Sequence, residues 1–126
     1  MKRMISLILI TLLLFTGCGE TAMENSYQSI SQEDAKQMMD EQEVVILDVR
    51  EQDEYDSGHI PGAVLLSVGA INEDTAAAVI PEKESIVRVY CRSGNRSKTA
   101  SLALAELGYT EIYEFGGITT WPYEVE

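Results

Sequence analysis

The chain predicts an α/β domain built on a central, mainly parallel sheet with helices on both faces. Three observations carry that expectation: short apolar runs rich in β-branched residues, segments of helical composition between them, and Gly- or Pro-containing breaks at the junctions. A strand buried on both faces reads as a continuous apolar run rather than an alternation, and parallel sheets contain such strands.

The elements follow in order. Ser31 with Asp34 three residues on opens a helix that ends near Asp40, and Ala35, Met38 and Met39 share one of its faces. Val44-Val45-Ile46-Leu47 is too short for a helix and gives the first buried strand, within Glu43 to Val49. Glu51 to Tyr55 is a polar, helix-compatible turn; Gly58-His59-Ile60-Pro61-Gly62 is dense in chain breakers; Ala63 to Val68 is a second strand. Ala70 to Ile80 has helical composition and stops before Pro81. Ser85 to Tyr90 is a third strand. Ser97 to Leu107 is a helix with Ala100, Ala103, Leu104 and Leu107 inward and Gly108 as its stop, and Ile112 to Phe115 is a last strand before Gly116-Gly117. No repeat and no low-complexity segment interrupts this order.

The first residues stand apart from the domain. Lys2 and Arg3 precede an uncharged, mainly apolar run from Ile5 to Phe15, followed by the small residues Thr16, Gly17 and Cys18, the pattern of a signal peptide over residues 1–17. Eleven residues at 1.5 Å each give roughly 16 Å of helix, about half of a bilayer's hydrocarbon core, which disfavours a spanning helix. Leu14-Phe15-Thr16-Gly17-Cys18 resembles the lipobox of bacterial lipoproteins, which implies that Cys18 is acylated and becomes the mature first residue. Acyl chains contribute about 0.8 kcal/mol per buried methylene, so the expected place is extracytoplasmic, at a membrane held through the lipid. Residues 18–28 then form the anchor and a polar tether, and 29–126 the folded domain.

Charge excludes some partners. Without Lys2 and Arg3, seven basic residues face 21 acidic ones, a formal charge of −14, which repels nucleic acid and anionic headgroups. Four of those seven, Arg88, Arg92, Arg96 and Lys98, fall in one acid-free segment of eleven residues around Cys91. With Cys18 acylated, Cys91 is the remaining thiol, so no internal disulfide is expected, and the shortage of Cys and His argues against a structural zinc site. No metal or other cofactor is called for.

Cys91 ends a buried strand and precedes a helix, with the short loop Arg92-Ser93-Gly94-Asn95 between. Backbone N–H groups converging on the sulfur, the helix N-terminus and the guanidinium groups of Arg92 and Arg96 are each expected to favour the thiolate. Gly94 and Asn95 are residue types that tolerate a left-handed backbone in so tight a loop. His59, the single histidine, lies in the Gly-Pro turn and reads as a structural hydrogen-bonding residue. Asp48 and Arg50 read as a structural charge pair near the sheet edge, and Trp121 and Tyr123 as caps on the core.

Taken in order, Leu47-Asp48-Val49-Arg50, Glu54-Tyr55, Gly58-His59-Ile60-Pro61-Gly62-Ala63, Tyr90-Cys91-Arg92-Ser93-Gly94-Asn95-Arg96-Ser97, and Gly116-Gly117 with Trp121 resemble the rhodanese family from about Ser29 to Tyr123. The resemblance implies a small α/β fold and a persulfide on Cys91. It also implies transfer of sulfane sulfur from an anionic donor such as thiosulfate to a thiol or to cyanide. Carried onto this chain, it makes Cys91 the nucleophile and Arg92, Ser93, Gly94, Asn95, Arg96 and Ser97 the cradle for donor and persulfide. Related phosphatases and arsenate reductases have five residues between cysteine and arginine, where this chain has four, so sulfur chemistry is preferred over oxyanion chemistry. A sulfur carrier that hands on sulfur without turnover of small donors is the alternative. A disulfide relay lacks a second thiol to resolve it.

Overall fold

The computed structural model describes residues 26–126. The signal peptide expected over 1–17, the acylated Cys18 and the tether up to residue 25 lie outside the described residues. The domain is a five-stranded sheet in the order β1-β5-β4-β2-β3, parallel at every pairing. The strands are β1 (Gln28–Ser29), β2 (Val45–Asp48), β3 (Val64–Leu65), β4 (Val87–Cys91) and β5 (Ile112–Gly117). The helices are α1 (Gln32–Glu41), α2 (Gln52–Asp56), α3 (Glu73–Val79) and α4 (Asn95–Glu106).

β4 is central and buried at all five residues, and its alternation divides the core. Val87, Val89 and Cys91 face one layer, packed with Leu47 and Val49 of β2, Ala76 and Ile80 from α3, Ala100 and Leu104 of α4, and Ile112 of β5. Tyr90 faces the other, with Ala35 of α1, Ile60, Ala63, Phe115 and Trp121. The sheet is therefore covered on both faces, as the unbroken apolar runs require. Each fully buried Val, Leu or Ile here stabilises the fold by about 1.5–3 kcal/mol.

The element ends moved for identifiable reasons. Ser31 caps α1 by accepting from the Asp34 N–H at 3.0 Å. Asn72 and Thr75 exchange side-chain and backbone hydrogen bonds at 2.9 Å each, so α3 starts at Glu73 rather than Ala70. The strand expected over Ala63 to Val68 shrinks to two residues, because Ser67 turns its hydroxyl onto the Arg50 carbonyl (2.8 Å) and a 3-10 turn begins at Val68. Gln28, placed in the tether by its polarity, instead begins β1: Gln28 and Ser29 pair with Tyr113 and Glu114. Two exposed polar residues on an edge show no alternation to read. Trp121 closes the second layer, tilted against Phe115 at 5.4 Å, while Tyr123 lies outside it, 37% exposed and edge-on to Trp121.

Asp48 and Arg50 do pair, but inside the molecule and not at the sheet edge. Asp48 is fully buried and accepts from Arg50 Nη2 and from the Tyr90 hydroxyl, both at 2.7 Å. Tyr90 Oη in turn accepts from Ile60 N–H at 3.1 Å, and Arg50 Nη2 also donates to the Gly58 carbonyl at 2.7 Å. A buried ion pair is tolerable only when its remaining polar atoms are satisfied, and this network ties the Gly58 to Ala63 turn beneath the carboxyl ends of β2 and β4. His59 belongs to the same turn. Its ring stacks on Tyr55 with centroids 3.9 Å apart, and its Nδ1 lies 3.0 Å from the Tyr55 carbonyl oxygen.

Candidate active site

Strand order reverses between β2, whose chain continues outward to β3, and β4, which leads through α4 to β5 on the other side. Open parallel sheets bind ligands in the crevice at such a switch point, beyond the carboxyl ends of the strands. Cys91 is the last residue of β4 and sits there.

The loop from Cys91 into α4 turns at Gly94, whose φ of 112° is the left-handed conformation that glycine adopts at little cost. That turn lets α4 start at Asn95 and places the Gly94 N–H on Cys91 Sγ at 3.0 Å. The far wall of the loop is Gly117. A methyl group there would overlap the carbonyl of Arg92 and the nitrogen of Ser93, so the end of β5 and the loop can touch only because residue 117 has no side chain. Thr119 fixes the same stretch by donating its N–H (3.2 Å) and its hydroxyl (2.9 Å) to the Arg92 carbonyl.

Cys91 is 1% exposed, and burial by itself pushes a thiol up. The Ser97 hydroxyl and the backbone N–H groups of Ser97, Gly94 and Ser93 outweigh that, so the thiol sits below its ordinary value. Of the N–H donors expected from the loop, that of Gly94 makes a hydrogen bond to the sulfur at 3.0 Å. The guanidinium groups play a smaller part at the sulfur than their positions in the sequence suggest. Arg96 is committed to Glu54 of α2 through two hydrogen bonds, Nη1 to Oε1 at 2.6 Å and Nη2 to Oε2 at 2.9 Å. Arg92 is exposed on the loop. Arg88, counted with the positive cluster in the sequence, is fully buried on the opposite face of β4, over the Tyr113 ring at 4.1 Å and against Met38 Sδ. Arg88 and Tyr90 are two positions apart along a strand, with Val89 between them, so they share a face, and that face is not the one that carries Cys91. Lys98 is exposed and lines a cleft of about 380 Å³ with Ser93, Gly94, Gly116 and Gly117.

Sequence reasoning missed Glu114. It is 3% exposed and accepts from the Ser97 hydroxyl at 2.7 Å and the Gly116 N–H at 2.8 Å, one residue removed from the sulfur. The available signal was its place on β5: Ile112, Glu114 and Gly116 share a face, and Ile112 points into the core. Among the described residues, no cluster of three or more metal-ligating side chains exists.

The family model of the rhodanese-like domain matches residues 31–123. The chain belongs to the rhodanese-like domain family. The match takes in every described element except β1. Thiosulfate sulfurtransferase GlpE of Coxiella burnetii is 38% identical over 96 residues, covering 75% of this chain and 87% of that protein. Thiosulfate sulfurtransferase PspE of Escherichia coli is 38% identical over 72 residues, covering 57% of this chain and 68% of that protein. Among solved structures, a rhodanese with anions from E. coli superposes with a TM-score of 0.62 at 28% identity, covering 67% of this chain and 98% of that one. Membership and the relatives' names agree with a sulfurtransferase of rhodanese type.

Proposed function

We propose that the protein transfers sulfane sulfur from a small anionic donor such as thiosulfate to a thiol or cyanide, with Cys91 as the carrier. The observation that supports this reading best is the size and lining of the loop: four residues between Cys91 and Arg96, with N–H groups aimed at one sulfur atom. A thiolate, not a thiol, is the nucleophile in such chemistry, and these donors favour the thiolate. In the first half, Cys91 Sγ attacks the sulfane sulfur; an S–S bond forms, the donor's S–S bond breaks, and sulfite leaves with the bonding electrons. In the second half, the acceptor thiolate or cyanide takes the outer sulfur and returns Cys91 as thiolate. No oxidant is needed in either half.

In this reading Ser93, Gly94 and Ser97 hold the persulfide, Arg92 meets the anionic donor from the solvent side, and Asn95 and Arg96 fix the start of α4. Arg96 acts through Glu54, which locks the loop to α2. The first residues, a charged pair, an apolar run and then Cys18, support export and acylation, so the proposed place of this reaction is the extracytoplasmic face of a membrane. The test is turnover of thiosulfate with cyanide, run beside hydrolysis of a phosphate monoester. Thiocyanate formation without ester hydrolysis is the expected result. Faster ester hydrolysis, or a persulfide that forms but is not turned over, would replace enzyme by phosphatase or by carrier.

A further inference from the structure

Beside the Cys91 loop runs a cleft of about 380 Å³ that the sulfur-transfer steps leave unused. Ser93 and Gly94 line it from the loop, Gly116 and Gly117 from the end of β5, Gln32 from α1 and Thr120 from the turn after β5. Gln32 Nε2 donates to the Gly117 carbonyl and to the Thr120 hydroxyl, both at 2.9 Å, so these walls are tied to one another. Clefts of roughly 300–1,000 Å³ hold small organic ligands, and thiosulfate and cyanide are far smaller than that.

The distribution of charge singles out Lys98, which lines the same cleft from α4. The chain is formally −12, and most of its cations are already spent. Among the described residues, Lys36 pairs with Asp40, Arg50 with Asp48, Lys83 with Glu73 and Arg96 with Glu54, while Arg88 is buried. Arg92 and Lys98 are the exposed cations left without a carboxylate partner, and they flank Ser93 and Gly94 in the chain. An anion repelled by the rest of the surface is captured where cations are unpaired. Arg92 serves the small donor, so a second free cation, set in a roomier cleft, suits a second and larger anionic molecule. The acid that shares the cleft, Glu114, is 3% exposed, and its oxygens accept from the Ser97 hydroxyl, the Gly116 N–H and the Ser29 hydroxyl. It therefore presents little charge to a ligand.

We infer that this cleft holds the acceptor of the second half-reaction, a thiol of short-peptide size that carries a carboxylate, with Lys98 meeting that carboxylate. The inference rests on the sulfur-transfer reading of Cys91. Cys91 itself is 1% exposed, but the outer sulfur of a persulfide stands about 2 Å beyond Sγ. Gly94, whose N–H meets Sγ at 3.0 Å, is also a wall of the cleft, so a ligand seated there is a neighbour of that outer sulfur. The acceptor thiol gives its proton to solvent, and its sulfur bonds to the outer sulfur. The bond from that sulfur to Cys91 breaks with its electrons going to Sγ, and the acceptor leaves as a persulfide. The hydroxyls of Ser93 and Thr120 offer hydrogen bonds to peptide amides, and Lys98 supplies the charge.

Glutathione and its dimethyl ester, which lacks both free carboxylates, are compared as acceptors with thiosulfate as donor. The ratio of kcat/KM for the two thiols is measured in wild type, Lys98→Gln and Lys98→Arg, because comparing ratios between proteins cancels the intrinsic reactivity of each thiol. Lys98→Gln is expected to lower the ratio about 5-fold, the upper range for a partly exposed ion pair, through the KM for glutathione and not through kcat. Lys98→Arg should keep the ratio, and added salt should shrink it in the wild type. An unchanged ratio in Lys98→Gln overturns the proposal, as does an equal rise in the KM for thiosulfate, which would assign Lys98 to the donor. A binding measurement separates this inference from the reading beneath it. S-methylglutathione keeps both carboxylates but has no free thiol, and its titration into the wild type should shift the backbone amide resonances of Ser93, Gly116 and Gly117, with weaker binding to Lys98→Gln. No shift at those amides overturns the cleft even where thiosulfate and cyanide are turned over. Binding there by a protein that forms no persulfide would support the cleft and overturn the sulfur-transfer reading.

Discussion

The guanidinium of Arg96 and the carboxylate of Glu54 meet at 2.6 Å, joining the first turn of α4 to α2 across the mouth of the Cys91 loop. The hydrogen bond from Arg96 is the main reason that Glu54 is held down at about 2, with burial opposing it. A carboxyl group depressed in the folded state contributes stability that is fully present above its unfolded value and is lost as pH falls through the folded one. Glu54→Gln is therefore expected to unfold more easily than wild type above about pH 5, with the difference closing between the ordinary carboxylate range near 4.3 and about 2. Urea unfolding of both proteins across that range checks it. The pair is partly exposed, so added salt should shrink the difference.

Arg92 and Arg96 should separate in kinetics. Because Arg96 serves Glu54 while Arg92 is free on the surface of the loop, Arg92→Ala should lower kcat/KM for thiosulfate by about 10- to 100-fold, the size of one charge-assisted contact. The pH midpoint of Cys91 alkylation should stay in place. Arg96→Ala should disturb both, since it releases the loop. Steady-state kinetics and alkylation rates on the two variants decide between these patterns.

Gly117→Ala tests the close approach of β5 to the loop. The added methyl would overlap the backbone of Arg92 and Ser93, and backbone cannot swing aside as a flexible side chain can. Forced overpacking costs about 1–3 kcal/mol, so the variant should fold with reduced stability. The Gly94 N–H should no longer meet the sulfur, and thiosulfate turnover should be lost. Thermal unfolding together with turnover checks both halves of the expectation.

Ser97→Ala should raise the Cys91 thiol toward its ordinary value, because the Ser97 hydroxyl is the strongest of the groups that hold it down against burial. Alkylation at neutral pH slows, and thiolate absorbance at neutral pH falls. For the other end of the chain, Cys18→Ser is expected to abolish lipid attachment, so that the protein leaves the detergent phase on partitioning and its mature N-terminus carries no acyl mass.

What could be read from the sequence was what depends on local pattern. β2, β4 and α4 were legible because an apolar, β-branched run and a helix of small inward residues leave little alternative. The loop was legible because Cys91, Gly94 and Arg96 are close in the chain. The misreadings arose where spatial neighbours are distant in sequence. Arg88 lies three residues from Cys91, yet strand alternation sends it to the other face of the sheet. Arg96 reads as a free cation until Glu54, 42 positions earlier, is brought beside it. Glu114 went unnoticed within its strand because only the parallel pairing of β4 with β5 sets it beside Ser97. β1 has no signal of its own: its two residues form a strand only because β5 presents an edge.

The most direct measurement is the intact mass of the purified protein after incubation with thiosulfate and removal of the excess. Persulfide formation predicts a gain of one sulfur atom on the wild type, none on Cys91→Ser, and loss of the added mass on exposure to cyanide with thiocyanate released in equal amount. An unchanged mass in the wild type, with Cys91 still open to alkylation, would contradict sulfur transfer through Cys91.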